Sequence, residues 1–298
     1  MKKIISLVLL FAISLGCTVC VFASSETLSV YSSYLIPSGS MRMIAHRGYS
    51  SVAPENTLPS FIAAGQSDFW GAECDILRTS DGEWVLMHDD TVDRTTDGTG
   101  RVDEHTYSEI REMTVDAGNN VDKYPGTKVP TLIEYLDVCK EYSMHPVIEI
   151  KSSSDPDSME ELAGILMSRE ENEMFVIISF GWEICARIKK LMPETPVYLL
   201  MDSEDTADYI NFVVQNNLDG LDMNCGLSED CYKAVKKADI DIIIWTVDDI
   251  YTTEQFFKLG VRSVTTNSLT QEAPEGNGFQ RFIWSIRDMI YWLFTIVN

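Results

Sequence analysis

From Met43 onward, short apolar runs bounded by turn residues recur at Met43–His46, Gly71–Leu77, Pro146–Lys151, Phe175–Phe180, Pro196–Met201, Leu218–Met223, Asp241–Val247 and Arg262–Thr266. Their length and composition predict eight strands. Between most of them lie segments with helical apolar spacing: Thr57–Gln66, Thr131–Tyr142, Ser158–Arg169, Trp182–Met192, Thr206–Asn216, Ser228–Ala238 and Tyr251–Leu259. Alternating strands and helices predict a parallel sheet, and eight such units predict closure into a TIM (β/α)8 barrel of the α/β class. An open doubly wound sheet is the alternative, but it has no reason to stop at eight units.

One strand is surplus. Glu83–His88 follows the turn Thr79-Ser80-Asp81-Gly82, a connection too short for a parallel neighbour, so it is expected to return as the second arm of a hairpin. With Asp81-Gly82 as a two-residue loop, Ser80 faces Glu83 and His88 faces Asp75. A longer loop shifts this by a residue or two and still leaves His88 near Glu73 or Asp75. Residues 89 to 129 carry little periodic pattern and many turn residues, and read as a long excursion over the same barrel mouth.

The ends of the chain differ from its middle. Met1-Lys2-Lys3 followed by an uncharged apolar stretch, with small residues at Val21-Phe22-Ala23, reads as a leader over residues 1–23, cleaved after Ala23 or kept as an anchor. A lipoprotein site at Leu15-Gly16-Cys17 is the weaker reading, because Ser14 stands where a bulky aliphatic is expected. In either main reading the protein is exported, secreted or membrane-tethered. Residues 24–41 are Ser-rich and read as a linker to the barrel over 42–270. Residues 271–298 read as a second linker and an aromatic amphipathic helix, either packed on the barrel or lying on a membrane surface. Aromatics on nearly every side of that helix favour the membrane.

Composition narrows the chemistry. The formal net charge of −23 over 298 residues excludes a nucleic-acid partner, which would need a basic face. An anionic substrate would be repelled overall, so phosphate chemistry would depend on a local cation and a few basic side chains. Of seven cysteines, Cys17 and Cys20 lie in the leader. Cys74, Cys139, Cys185, Cys225 and Cys231 remain, without a metal-binding or redox C-x-x-C pair. Cys225 and Cys231 could close a short disulfide loop, though buried free thiols are the plainer expectation.

Four fragments fall at the C-terminal ends of the first three barrel strands or on the hairpin beside them: His46-Arg47-Gly48, Glu73-Cys74-Asp75, His88-Asp89-Asp90 and Glu149-Ile150-Lys151. Alternation puts Glu73 and Asp75 on one face of their strand, and Glu149 and Lys151 on one face of theirs. Such charges inside a small barrel need neutralising. Three carboxylates at one mouth make a hard-oxygen site suited to one divalent cation, Ca²⁺ or Mg²⁺. Taken singly, each residue would more often be a rim or core residue. Together they put two of the chain's four histidines, the three carboxylates of Glu73, Asp75 and Glu149, an arginine and a lysine on one rim. His105 and His145 lie away from this mouth and are assigned no role.

These residues, with Pro54-Glu55-Asn56-Thr57, Val85-Leu86-Met87-His88-Asp89, Val147-Ile148-Glu149-Ile150-Lys151, Val129-Pro130-Thr131-Leu132, Ser179-Phe180 and Trp245-Thr246-Val247, resemble the signature set of the glycerophosphodiester phosphodiesterase family over residues 43 to 270. The resemblance implies a TIM barrel with one divalent metal on Glu73, Asp75 and Glu149. It implies His46 and His88 as general acid and base, in either order, Arg47 on the phosphate, and Lys151 near the transferring phosphoryl group. Trp245, at a strand end, is expected either to pack on the substrate's glycerol or headgroup or to be core. The chain departs from the family at Thr266-Asn267-Ser268-Leu269, where Asp usually stands in place of Asn267, a position expected to be peripheral to the metal. The implied reaction hydrolyses a small-molecule phosphodiester to an alcohol and glycerol phosphate, with water or a substrate hydroxyl as nucleophile. A lysophospholipase D or sphingomyelinase-D-like activity is the alternative, and a non-catalytic surface module is a third reading that the intact residue set argues against.

Overall fold

The computed structural model describes residues 41–151, 154–169 and 175–269. The expected leader, most of the first linker, the second linker and the aromatic helix lie outside the described residues. No helix among the described residues is long and apolar enough to cross a membrane.

Eight parallel strands close into a barrel: β1 (Arg42–Ala45), β2 (Gly71–Arg78), β4 (His145–Ile150), β5 (Val176–Ser179), β6 (Val197–Met201), β7 (Gly220–Asn224), β8 (Asp241–Trp245) and β9 (Ser263–Thr266). The circle is completed where β1 pairs with both β9 and β2. Each strand is within two residues of its expected position at either end. The helices between them are α1 (Leu58–Gln66), α2 (Tyr107–Glu112), α3 (Leu132–Glu141), α4 (Met159–Met167), α5 (Trp182–Leu191), α6 (Thr206–Asn216), α7 (Glu229–Lys237) and α8 (Ile250–Lys258).

Local chemistry explains where the helices start. Thr57 and Thr131 each accept a hydrogen bond from the amide three residues on, while Ser60 and Glu134 reach back to the cap amide, so two orphan donors are satisfied at each start. Strand alternation then sorts the side chains. Ala72, Cys74, Ile76, Ile148 and Ile150 face outward into the layer between strands and helices. Ile44, Val147, Ile178, Tyr198, Leu200 and Ile243 fill the barrel interior. Tyr135 of α3 ties the two layers together, its hydroxyl donating to the Ala72 carbonyl at 2.6 Å and accepting from the Val147 amide at 3.1 Å. It therefore braces β2 against β4.

The surplus strand, β3 (Trp84–Leu86), is the expected antiparallel arm, with a register one residue away from the two-residue-loop expectation. Ile76 faces Leu86 and Arg78 faces Trp84, so Asp75 lies opposite Met87, whose amide donates to the Asp75 carbonyl at 3.0 Å. The reason is a three-residue loop. Thr79 and Glu83 close it, Gly82 takes a φ of +97° that only glycine adopts easily, and the Ser80 amide is held by the His105 carbonyl. His88 follows directly off the end of this arm.

The excursion from 89 to 129 has a core of its own. Val92, Val102, Ile110, Val115 and Val129 pack on Leu77, Val85 and Met87 of the hairpin. Isolated bridges pair Thr91 with Arg101 and Thr96 with Val115. The five cysteines among the described residues are all free, including Cys225 and Cys231. The Cys231 thiol instead contacts the Glu204 carboxylate at 2.7 Å.

Candidate active site

Two strands place three carboxylates at the C-terminal mouth. Glu73 and Asp75 of β2 and Glu149 of β4 are 2%, 1% and 8% exposed, and each offers an oxygen within 4.8 Å of the others. The basic groups around them are arranged unequally. Asp75 Oδ1 receives Lys151 Nζ at 3.2 Å and its Oδ2 receives Asn56 Nδ2 at 2.7 Å, with Arg47 Nε at 3.5 Å. Glu149 Oε1 receives Lys151 at 2.8 Å. Glu73 Oε2 accepts the Arg47 backbone amide at 2.7 Å, while its buried Oε1 has no partner.

The electrostatics follow. Burial raises the Glu73 carboxyl well above the usual range, and the charges of Asp75 and Glu149 add to this. Burial and then Asp75 push Glu149 up to about 7, against the pull of Lys151. Burial works in the same direction on Asp75, but Lys151 and Arg47 outweigh it and hold that carboxyl far below its ordinary value. Three buried carboxylates cannot all ionise cheaply without another positive charge. An orphaned oxygen on Glu73 within an all-oxygen donor set fits a hard divalent cation.

The loop after β1 builds the other wall. Arg47 adopts a left-handed conformation (φ +56°) and Gly48 follows at φ +75°, where a Cβ would lie 2.2 Å from Ser60 Oγ. This tight turn aims the Arg47 amide at Glu73 and the Gly48 amide at the Glu73 carbonyl. Asn56 pins Asp75 a second time by accepting its backbone amide at 3.1 Å. Glu55 accepts Arg47 Nη1 at 2.9 Å.

Both histidines are oriented through Nδ1. His46 Nδ1 lies 2.7 Å from Asn267 Oδ1. Asn267 Nδ2 donates to Asp248 Oδ2 at 2.6 Å, which fixes the amide so that its oxygen faces the imidazole. An amide oxygen only accepts, so the His46 proton sits on Nδ1 and Nε2 is left for chemistry. Burial lowers the His46 pKa, and the neighbouring Arg47 charge lowers it further. His88 Nδ1 lies 2.6 Å from Asp89 Oδ1, which likewise leaves Nε2 free. The two rings are close enough to Asp75, and to each other, for their charges to interact.

His46, Arg47, Glu73, Asp75, His88, Glu149 and Lys151 are thus brought to one mouth. Trp245 is half-buried at the end of β8, its Nε1 donating to the Asp222 carbonyl at 3.0 Å and its ring edge-on to Phe180 at 5.7 Å. His105 bonds the Thr99 carbonyl within the excursion, and His145 stacks on Trp70 at 4.0 Å at the start of β4. Asn267 stands outside the carboxylate cluster, and it is the direct partner of His46. Glu55, Asn56, Asp89 and Arg94 also enter the site, and the only sequence signal for three of them was their place in the quoted motifs. Asp222 on β7 was missed altogether. It is buried among the inward apolar residues with Oδ1 unpartnered, and burial, then Glu149, raises its pKa well above normal.

A sequence model of the Glycerophosphoryl diester phosphodiesterase family matches residues 46–271. The chain is 31% identical over 228 residues to a glycerophosphodiester phosphodiesterase of Caldanaerobacter subterraneus subsp. tengcongensis, covering 76% of this chain and 93% of that protein. It is 32% identical over 214 residues to a glycerophosphodiester phosphodiesterase of Bacillus subtilis, covering 66% of this chain and 71% of the relative. Among solved structures, an Oleispira antarctica phosphodiesterase in complex with the product sn-glycerol-3-phosphate superposes with a TM-score of 0.68 at 26% identity, over 77% of this chain and 94% of that one.

Proposed function

The chain belongs to the glycerophosphoryl diester phosphodiesterase family and is an enzyme of that activity, and from this premise we propose that it cleaves its substrate with one divalent cation and two histidines. The observation that carries the reading is the meeting at one mouth of three buried carboxylates, one with an orphaned oxygen, and two histidines each tied through Nδ1. Glu73, Asp75 and Glu149 would hold the cation, which supplies a Lewis acid where charge builds on the phosphoryl oxygens. Lys151 holds Asp75 ionised, opposes the upward shift of Glu149 and adds positive charge at the same place. Arg47, anchored by Glu55, offers its guanidinium to the phosphate. One Nε2 takes the proton of the attacking oxygen, from water or a substrate hydroxyl, and the other protonates the departing alcohol. The product sn-glycerol-3-phosphate bound by the Oleispira relative supports glycerol phosphate as the product here. The relatives do not favour the lysophospholipase D or sphingomyelinase-D-like alternative.

Release of glycerol phosphate from glycerophosphocholine should stop in chelator and return with Ca²⁺ or Mg²⁺, whereas lysophosphatidylcholine should be a poor substrate. Full turnover by a thoroughly demetallated sample would defeat the cation assignment. The basic, apolar leader supports an exported enzyme, and recovery of the activity only from cytoplasm after fractionation would refute that placement.

A further inference from the structure

We propose that Arg94, supplied by the excursion, is a positioning residue that couples His88 to Arg47 through Asp89 and Glu55. The inference rests on the reading above that His88 moves a proton and Arg47 holds the phosphate. Arg94 uses its guanidinium as a double fork. Its Nε donates to Asp89 Oδ2 at 2.6 Å and its Nη2 to Asp89 Oδ1 at 3.1 Å. On the other side, Nη1 donates to Glu55 Oε2 at 3.0 Å and Nη2 to Glu55 Oε1 at 2.8 Å. Asp89 Oδ1 is the atom that meets His88 Nδ1, and Glu55 Oε1 is the atom that meets Arg47 Nη1. A continuous chain of charge-assisted bonds therefore runs from one working side chain to the other, with Arg94 at its centre.

An ordinary surface ion pair would be worth little, and the Arg94 side chain is 46% exposed. Two features set this one apart. Both carboxylates are gripped bidentately, a geometry that fixes orientation as well as charge, and that a lysine cannot reproduce. The backbone that presents Arg94 is itself held. Val92 is fully buried, its amide donates to the Gly100 carbonyl, and the Asp93 carboxylate accepts the Gly100 amide at 2.9 Å. Thr96 closes the turn by donating its hydroxyl to the Val92 carbonyl. The charge effect points the same way. Arg94, ahead of His88, holds the Asp89 carboxyl down to about 2, so Asp89 stays an ionised acceptor for the imidazole. The excursion thus contributes to the active site by bracing its two sides from outside.

The test compares Arg94→Ala, Arg94→Lys and Arg101→Ala in the full chain with Ca²⁺ or Mg²⁺ present, following glycerophosphocholine hydrolysis and thermal unfolding. Arg101 lies in the same excursion and pairs with Asp103 and Asp90, away from the chain of bonds just described. Arg94→Ala should lower kcat by about 10²-fold, because a misplaced catalytic group costs that much, and should also raise KM. Millimolar guanidinium should restore part of the kcat of Arg94→Ala, where equal sodium chloride does not. Arg94→Lys should stay well below wild type, and if the alanine variant fails to fold the lysine variant carries the test. Arg101→Ala should keep both constants. Wild-type kcat and KM in Arg94→Ala, full activity in Arg94→Lys, or a loss that guanidinium never relieves would overturn the inference. A wild-type enzyme inactive with both cations would instead overturn the functional reading.

Discussion

The barrel wall from β1 to β4 and the wall from β5 to β9 belong to one hydrogen-bonded sheet, yet they face inward with different chemistry. The first sector presents His46, Glu73, Asp75 and Glu149, with Lys151 and His88 at its edge. The second presents Ile178, Tyr198, Leu200 and Ile243, apolar groups that fill the barrel and keep its strands apart. The strand geometry is the same in both. The charged sector is tolerated because the loop after β1 brings Arg47 and Asn56, and the end of β4 brings Lys151, to bear on the carboxylates, while one Glu73 oxygen keeps no partner among the described residues. Chemistry thus occupies one part of the rim, and the remainder is scaffold. Two polar groups cross that division: Asp222 on β7, and the Asn267–Asp248 pair behind His46.

The hardest test of the division is the removal of imidazoles. On the proposed mechanism each histidine is a proton-transfer group, so His46→Ala and His88→Ala should each lower turnover by about 10²-fold or more, and both proteins should melt close to wild type. His105→Ala and His145→Ala remove rings of similar size from the excursion and from the opposite barrel end, and should leave turnover nearly unchanged. A loss in His105→Ala matching that in His88→Ala would break the assignment of chemistry to this rim.

The sequence made the sectors legible to different degrees. All eight barrel strands and the hairpin arm could be read from apolar runs, because burial on both faces leaves a continuous signal. Alternation alone places Glu73 with Asp75 and Glu149 with Lys151. The hairpin register was not legible, because it depends on Gly82 taking a left-handed turn and on His105 holding the Ser80 amide across the excursion. Glu55, Asn56, Asp89, Arg94 and Asn267 were harder still. Their roles consist in which atoms they meet, over separations of up to 221 residues in the case of Asn267 and His46, and periodicity carries no trace of that. Asp222 sat inside the expected strand Leu218–Met223 as one of two aspartates, with nothing in the pattern to set it apart from Asp219.

A smaller effect should come from the apolar sector. Leu200→Ala deletes a side chain only 3% exposed inside the barrel, and such truncations cost about 2–5 kcal/mol through lost burial and a residual cavity. The variant should melt earlier, while kcat measured below its transition should stay within about twofold of wild type, because no partner of His46, His88 or the carboxylates is touched. If kcat fell as far as in the histidine variants at a temperature where the protein is folded, the two sectors would not be separable, and the filling of the barrel would itself be part of the catalytic geometry.

The finest effect concerns the pair behind His46. Asn267 gives that imidazole a neutral oxygen, and the nearest charge on this side is one residue further back on Asp248. The swap Asn267→Asp with Asp248→Asn keeps the bonding pattern. The new carboxylate would accept from His46 Nδ1 and Ser50, and the new amide could still accept from Thr266 and the residue 267 backbone while donating to residue 267. Only the charge moves, next to the ring. An anion in contact stabilises imidazolium, so the His46 pKa, now lowered by burial and Arg47, should rise. In the pH profile of kcat/KM the limb that belongs to His46 should move to higher pH, and the other should stay. If the acid limb moves, His46 is the group that must be neutral, the base. If the alkaline limb moves, it is the acid. A profile in which neither limb shifts, from a swapped protein with wild-type melting behaviour, would show that His46 does not limit the reaction.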